Sequence, residues 1–328
     1  MLRDDVLRML CAHEGYYSGA EISRVLGVTR MAVSNAVRAL RDDGYEIDAV
    51  TNRGYCLRST PGKLTQGEIC AYLPEGRRTL VHCFDSIDST NSYLKREAVQ
   101  GAPHGLCAVA NEQTAGRGRS GRDFRSAPDC GVYLSLLLRP RCAPIEAATL
   151  TSHAAVAVCR AIDSVCGCET GIKWTNDILL NERKICGILT ELTLEGETAA
   201  LDSVVIGIGV NVNNRLTEFP PELQGKAGSV FSETGQTINR ARLAAAMIEE
   251  LDAMYAAWEQ DRFAFLAQYR TRCLTVGREV RVIRGDSARE AFALSVSDDF
   301  GLRVRYPDGA EETLNAGEVT VRGKNGYI

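Results

Sequence analysis

The segment Ser59-Thr60-Pro61-Gly62 interrupts every periodic pattern in the chain, and what stands on its two sides cannot belong to one repeating fold. Before it the apolar residues recur at helical spacing; beyond it strand-length apolar runs alternate with helical stripes. A length of 328 residues suits two or three domains, and a hydrophobic content of 45% excludes a chain disordered throughout. The pattern is read as an α/β (α+β) multidomain protein: a helical domain with a hairpin over residues 1–62, a mixed-sheet α/β domain over 63–275 and a small β domain over 276–328.

Val6, Leu7, Met9 and Leu10 share one face of a first helix. Ser18-Gly19-Ala20-Glu21 has the form of a capping box for a second, which Gly27 ends. Thr29 then caps a helix over residues 30–42, striped by Met31, Val33, Ala36, Val37 and Leu40. Two helices about a glycine turn make a helix-turn-helix. The second helix of such a pair enters the major groove, so Thr29, Arg30, Ser34, Asn35 and Arg38 are the expected DNA readers. A guanidinium can meet two acceptors of guanine, and a carboxamide can do the same for adenine. Strand-like runs over 45–50 and 55–57, joined by Thr51-Asn52-Arg53-Gly54, complete a winged helix with Arg53 near the wing tip. A three-helix bundle with a solvated polar face carries the same pattern. Eight arginines against eight acidic residues over residues 1–62 leave no net charge, so phosphate attraction alone is modest and tight operator binding calls for a dimer.

For the whole chain, 38 Lys and Arg stand against 42 Asp and Glu, a net charge of −4. That balance excludes a nucleic-acid coat and a polybasic membrane binder. No apolar run approaches the ~20 residues of a membrane span, and the start Met1-Leu2-Arg3-Asp4-Asp5 carries two acids, so a cytoplasmic location is expected. Twelve cysteines are scattered along the chain, with Cys166 and Cys168 close together; with only four histidines they fit no zinc spacing and read as reduced core residues.

Thr65-Gln66-Gly67-Glu68 offers a further capping box. Strands are expected over residues 80–84, 106–111, 132–138, 184–194 and 204–212, and helices over 144–165 and 239–272. Gly116-Arg117-Gly118-Arg119-Ser120-Gly121-Arg122 formally satisfies a dinucleotide fingerprint, but no helix and no acidic ribose partner follow it. What remains is a flexible glycine-rich loop carrying Arg117, Arg119, Arg122 and Arg125, suited to a di- or triphosphate, or else a merely solvated basic loop. Lys173-Trp174-Thr175-Asn176-Asp177, with Lys184-Ile185-Cys186-Gly187 after it, supplies a carboxylate and an amide able to hold Mg²⁺ or orient a nucleophile, and a lysine to neutralise a reacting anion. A local ion pair and a core tryptophan are the plain alternatives. Gly207 to Asn214 ends a strand in glycines that permit close approach and amides that can read a purine edge. In the tail, residues 277–283, 291–296 and 302–306 alternate as strands, with a turn at Tyr306-Pro307-Asp308-Gly309.

Gly116 to Arg122, Lys173 to Asp177, Lys184 to Leu189 and Gly207 to Asn213 occur in the order seen in biotin–protein ligases, and with the winged helix in front the chain resembles that family's bifunctional, biotin-operon-repressor type. The resemblance implies a central domain of the class II synthetase/biotin ligase type and an SH3-like tail. It implies that Ser89, Thr90, Asn91 and Gln113 hold the ureido ring of biotin, that Gly116, Arg117, Arg119 and Lys184 meet its carboxylate and the acyl-phosphate, and that Arg119, Arg122, Asn176, Asn211 and Arg322 form the ATP site. A urea offers one carbonyl and two N–H groups, which hydroxyls and a Gln amide satisfy. The family usually has Pro where this chain has Thr175 and Trp where it has Phe124.

The implied reaction joins biotin to Mg·ATP, giving biotinyl-5′-AMP, and then transfers biotin to a lysine of a biotin carboxyl carrier protein, with Arg117, Arg119, Lys184 and Asp177 the catalytic set. No firm metal ligand is assigned. The adenylate is the implied corepressor, driving a homodimer onto operator DNA. Three alternatives compete: a ligase whose winged helix has lost DNA binding, a non-catalytic ligand-sensing regulator, and a lipoate or octanoate ligase with a longer, less polar pocket.

Overall fold

The computed structural model describes residues 2–196, 199–315 and 320–323; the last five residues of the expected tail domain lie outside them. Helices α1 (Leu2–Cys11), α2 (Gly19–Leu26) and α3 (Arg30–Asp42) precede a hairpin of β1 (Glu46–Val50) and β2 (Gly54–Ser59). Val6, Leu7, Leu10, Ile22, Val33, Val37 and Leu40 close into one core with Tyr45 and Ile47. Gly27 takes the left-handed conformation at φ +65° that ends α2, and Thr29 Oγ1 accepts the Ala32 N–H at 3.1 Å to start α3. Arg41 donates through Nε to the Ile47 carbonyl at 2.8 Å, tying α3 to the wing.

Two local expectations fail here. Ser18 makes no side-chain cap; its carbonyl takes the Glu21 and Ile22 N–H groups at 3.0 Å, because Tyr17 just before it is committed to a strand-like bridge with Tyr55. Met31 is 67% exposed rather than part of the core stripe. It lies two positions, about 200° around a helix, from Val33.

After α4 (Gln66–Ala71) come β3 (Val81–Phe84), α5 (Thr90–Val99), β4 (Cys107–Ala110), β5 (Gly131–Leu138), α6 (Pro144–Ala147), α7 (Leu150–Cys166), β6 (Gly171–Lys173), β7 (Asp177–Leu180), β8 (Arg183–Leu194), β9 (Leu201–Asn211), α8 (Val230–Thr234), α9 (Arg240–Gln260) and α10 (Leu266–Arg272). Seven strands form one sheet in the order β3-β4-β5-β9-β8-β7-β6, parallel only between β3 and β4. Every residue of β5 is buried. Leu137 and Val205 pack on α5, whereas Leu134, Leu136, Val204 and Ile206 belong to the core shared with α7 and α9. Successive side chains point to opposite faces, so the unbroken apolar run reports a strand covered on both sides.

The helix expected over residues 239–272 is interrupted. Asp261 turns to extended backbone at φ −144°, its carboxylate accepting the Phe263 N–H at 2.8 Å, and α10 starts afresh at Leu266. The helix expected over 144–165 divides at Thr149, whose hydroxyl donates to the Glu146 carbonyl at 2.7 Å and accepts the Trp258 indole N–H at 3.0 Å. Strands β6 and β7 were not anticipated, being too short to show a period.

The tail forms an antiparallel sheet of β10 (Glu279–Arg284), β11 (Ser287–Val296), β12 (Leu302–Arg305), β13 (Glu311–Leu314) and β14 (Thr320–Gly323), ordered β13-β12-β11-β10-β14. The turn at Tyr306–Gly309 joins two strands, β12 and β13, as expected, whereas β14 has no counterpart in the sequence pattern. The Trp174 indole N–H donates to the Phe300 carbonyl at 2.8 Å, fastening this sheet to the central one. Among the described residues no helix is long and apolar enough to cross a membrane, all twelve cysteines are free thiols, and no three metal-ligating side chains converge.

Candidate active site

A cleft of about 650 Å³ opens between the central sheet, the glycine-arginine segment and β10 and β14 of the tail. One end is built from neutral polar groups. Ser89 is the N-cap of α5, and its Oγ accepts the Ser92 N–H at 3.4 Å. The N–H and hydroxyl of Thr90 reach Gln113 Oε1 at 2.9 and 3.0 Å, and Gln113 Nε2 donates to Ser126 Oγ at 2.8 Å. Beneath them the Ser135 hydroxyl lies 2.7 Å from Thr90 Oγ1 and 2.6 Å from Asn91 Oδ1. Asn91 Nδ2 donates to Glu191 at 2.9 Å, and Lys95 pairs with the same carboxylate at 2.9 Å. Each side chain is held before any ligand arrives. Ser126, Ser135 and Glu191 escaped the sequence reading; the one available signal was a serine at the centre of the apolar run 132–138.

The floor is β8 and β9. A Cβ on Gly207 would fall on the Asn91 carboxamide, and one on Gly209 would fall on the Phe124 ring. The close approach that these glycines permit is therefore made first by protein side chains.

At the other end the charge changes. The segment expected as a flexible loop is a hairpin, closed by Gly118 N–H to the Arg122 carbonyl at 2.7 Å and Phe124 N–H to the Gly116 carbonyl at 2.9 Å. It lays Arg119 across the β6–β7 turn, where Nη1 donates to Asn176 Oδ1 at 3.0 Å and Thr175 Oγ1 at 3.3 Å. Asn176 Nδ2 in turn holds the Ile188 carbonyl at 2.7 Å. Lys184 Nζ sits 2.6 Å from Asp177 Oδ1. Asn211 donates to the Gly228 carbonyl at 3.0 Å, and Arg322 of β14 stands in register with Arg281 of β10, both on the cleft wall.

The structure thus gathers Ser89, Thr90, Asn91, Gln113, Arg117, Arg119, Arg122, Asn176, Asp177, Lys184, Asn211 and Arg322 around one cavity. Gly116 is not on its wall; it underlies it, packed against the Phe124 carbonyl and Ser126 Oγ. A further wall, with Glu218, Phe219, Glu222 and Lys226, comes from a short 3₁₀ helix (Leu216–Glu218) and the loop after it, too short and irregular to show a pattern in sequence. The expected DNA readers stand apart in the first domain: Thr29, Arg30, Asn35, Arg38 and Arg53 are exposed and Ser34 half-buried. Arg53 rests 4.5 Å over the Tyr16 ring.

Lys173 is only 6% exposed, and burial pushes its pKa down to about 8, against the pull of Asp177 and reinforced by Lys184, Arg322 and Arg122. A polyphosphate bound among these cations would restore the charge, so its binding should take up a proton above about pH 8 and weaken by up to about tenfold per pH unit there. Calorimetric ATP affinities from neutral pH to about pH 9 should show this slope, and Lys173→Arg, whose charge is fixed, should flatten it. Parallel profiles for the two proteins would sink the assignment.

Residues 83–211 match the biotin/lipoate A/B protein ligase family, and residues 3–56 match an HTH domain. The bifunctional ligase/repressor BirA of Bacillus subtilis is 35% identical over 320 residues, spanning 96% of this chain and 97% of its own. The chain belongs to the bifunctional biotin ligase/repressor family. Its Escherichia coli relative is 31% identical over 95% of each chain. A solved biotin protein ligase from Aquifex aeolicus, in complex with biotin and ATP, is 25% identical with a TM-score of 0.64, covering 74% of this chain and 98% of its own. In this ligase the two departures have visible consequences. The Thr175 hydroxyl accepts a bond from Arg119 that proline could not, and Phe124 meets Tyr133 edge-on at 6.4 Å while covering Gly209.

Proposed function

We propose that the central domain activates biotin with ATP and passes it to a lysine of a biotin carboxyl carrier protein, and that the winged helix represses a biotin operon when the adenylate accumulates. The observation that carries this reading is the polarity of the cleft: neutral donors and acceptors at the Ser89–Gln113 end, cations at the Arg119–Lys184 end. Such a cavity suits a molecule with a urea at one end and a carboxylate to be joined to phosphate at the other.

In the proposed reaction Ser89, Thr90 and Gln113 take the ureido group, with Asn91 fixed behind them by Ser135 and Glu191. Arg117, Arg119, Arg122 and Lys184 draw the biotin carboxylate and the α-phosphate together, so that a carboxylate oxygen attacks phosphorus and pyrophosphate leaves. No protein nucleophile is required. Asn176 fixes Arg119, while Asn211 and Arg322 border the nucleotide. A magnesium ion brought by the ATP phosphates would supply charge neutralisation there; Asp177, on the cleft wall and paired with Lys184, would give it a light contact rather than a protein cage. In the second step the carrier lysine attacks the acyl carbon and AMP leaves, with Asp177 orienting the amine.

The division into residues 1–62, 63–275 and 276–328 is proposed as a division of labour: DNA reading, chemistry and closure of the nucleotide end. Thr29, Arg30, Ser34, Asn35, Arg38 and Arg53 read the operator, and an adenylate-loaded homodimer in the cytoplasm supplies the second half-site that an uncharged domain needs.

The test combines transfer of labelled biotin to a carrier domain, with ATP and Mg²⁺, and a mobility-shift titration of biotin-operon DNA. Transfer is expected, and biotin plus ATP should tighten DNA binding; Arg38→Ala should weaken it at unchanged transfer. Absence of transfer with cognate carrier overturns the ligase. Operator affinity indifferent to biotin and ATP overturns the corepressor.

A further inference from the structure

The helix α7 ends in Cys166, Gly167 follows in the left-handed conformation at φ +64°, and Cys168 comes next. The turn brings the two thiols within hydrogen-bonding reach of one another. A latch holds the turn at its base. The Thr170 N–H and hydroxyl both donate to Asp163 Oδ1, at 2.9 and 2.8 Å, and Arg272 Nη1 donates to Asp163 Oδ2 at 2.6 Å and to the Thr170 carbonyl at 3.0 Å. Cys166 is buried at 4% exposure whereas Cys168 is half-exposed, so one sulfur is open to a reagent and the other waits beneath it. No step of biotin transfer uses either.

We propose that Cys166 and Cys168 are a dithiol site for reversible exchange with small disulfides of the glutathione class. The Cys168 thiolate attacks one sulfur of oxidised glutathione, forming a mixed disulfide and releasing one glutathione thiolate. Cys166 then gives up its proton to solvent and attacks Cys168 Sγ, forming the intrachain disulfide and releasing the second glutathione. The protein loses two protons and two electrons, and glutathione disulfide gains them.

Three physical features support the order of events. The Cys166 hydrogen bond lowers the Cys168 pKa, which favours the exposed sulfur as attacker. Cys166 is held up first by that same bond and then by burial, so it stays protonated until Cys168 has reacted and the bond is gone. A disulfide across a single glycine is a small strained ring, which makes it readily reducible and hence reversible. The latch fixes the chain on both sides of the turn that carries the two cysteines, from Asp163 to Thr170, so the second attack is intramolecular at high effective concentration and outruns a second glutathione.

The full chain is equilibrated in a series of reduced and oxidised glutathione mixtures, quenched by alkylation and digested with trypsin. Residues 161–173 emerge as one peptide whose only cysteines are Cys166 and Cys168. The expected product is this peptide lighter by two hydrogens, without attached glutathione, and restored by excess reduced glutathione. In Cys168→Ser, which leaves the buried thiol in place, the peptide should stay unmodified. In Asp163→Asn the oxidised glutathione needed for half-conversion should rise by roughly tenfold as the facing geometry loosens. A native peptide that carries glutathione, or stays fully reduced throughout the series, overturns the proposal. So does an Asp163→Asn midpoint equal to the native one, provided that thermal melting shows both proteins folded.

Discussion

Alanine at position 119 should slow formation of the biotinyl adenylate by about 10²–10³-fold, the usual loss when one preorganised donor to developing charge is removed. The side chain does not hold the fold together. Its two bonds go to Asn176 and Thr175, and Asn176 keeps its own anchor on the Ile188 carbonyl when Arg119 is gone. The melting temperature should therefore move by no more than about 1 kcal/mol of stability implies. Arg119→Lys keeps the charge but loses the planar fork, and should recover only part of the rate. Single-turnover release of pyrophosphate isolates this step. Transfer from preformed biotinyl-5′-AMP to the carrier should suffer less than adenylate formation, because that step no longer has to bring two anions together. An unchanged rate of pyrophosphate release in Arg119→Ala would remove the guanidinium from the mechanism and leave it a fastener of the β6–β7 turn.

What the chain disclosed before folding was mostly local. Gly27 and Thr29 mark the turn and cap of the second helix of the helix-turn-helix because each acts on backbone within three residues of itself. The strand over 132–138 was legible because burial on both faces writes an unbroken apolar run. Misreadings arose where tertiary partners decide. Asp261 breaks a helical stripe by accepting the Phe263 N–H, and Met31 and Val33 look alike in sequence although they point to opposite sides of α3. The sequence makes Glu68 the reciprocal half of a capping box. Thr65 does accept the Glu68 N–H at 3.2 Å, but the carboxyl turns inward, toward Tyr45 of the winged helix. In sequence Lys173 cannot be told from an ion-pair partner at a turn; its burial in the company of Lys184, Arg322 and Arg122 reveals a proton-linked group. The side chains behind the site, Ser135 and Glu191, are legible only through whom they touch.

Glu68 yields the second large expectation. It is 2% exposed at the seam where α1 and Tyr45 of the winged helix meet α4 and the start of α9, with Cys11, Tyr45, Tyr72 and Arg240 facing it and Asp4 beside Gly67. Burial raises its pKa to about 7, against the Tyr45 hydrogen bond and the Arg240 charge, and Oε1 has no hydrogen-bond partner among the described residues. Arg240 is occupied elsewhere: it bonds Asn111 Oδ1 at 2.9 Å, the Gly131 carbonyl at 3.0 Å and the Gly62 carbonyl of the linker. An acid whose folded pKa is raised stays protonated in the folded chain while the unfolded chain ionises. Stability contributed at this seam is therefore complete below about pH 4.5 and falls as pH rises toward 7, by about 3 kcal/mol in all. Glu68→Gln mimics the protonated form and should remove that slope, leaving the variant more stable than the native chain by up to the same amount at pH 8. Denaturant unfolding of both proteins between about pH 5 and 8 measures it. If the two stability curves run parallel through that window, the carboxyl is not the group that titrates, and the winged helix is seated on the ligase without a proton in the joint.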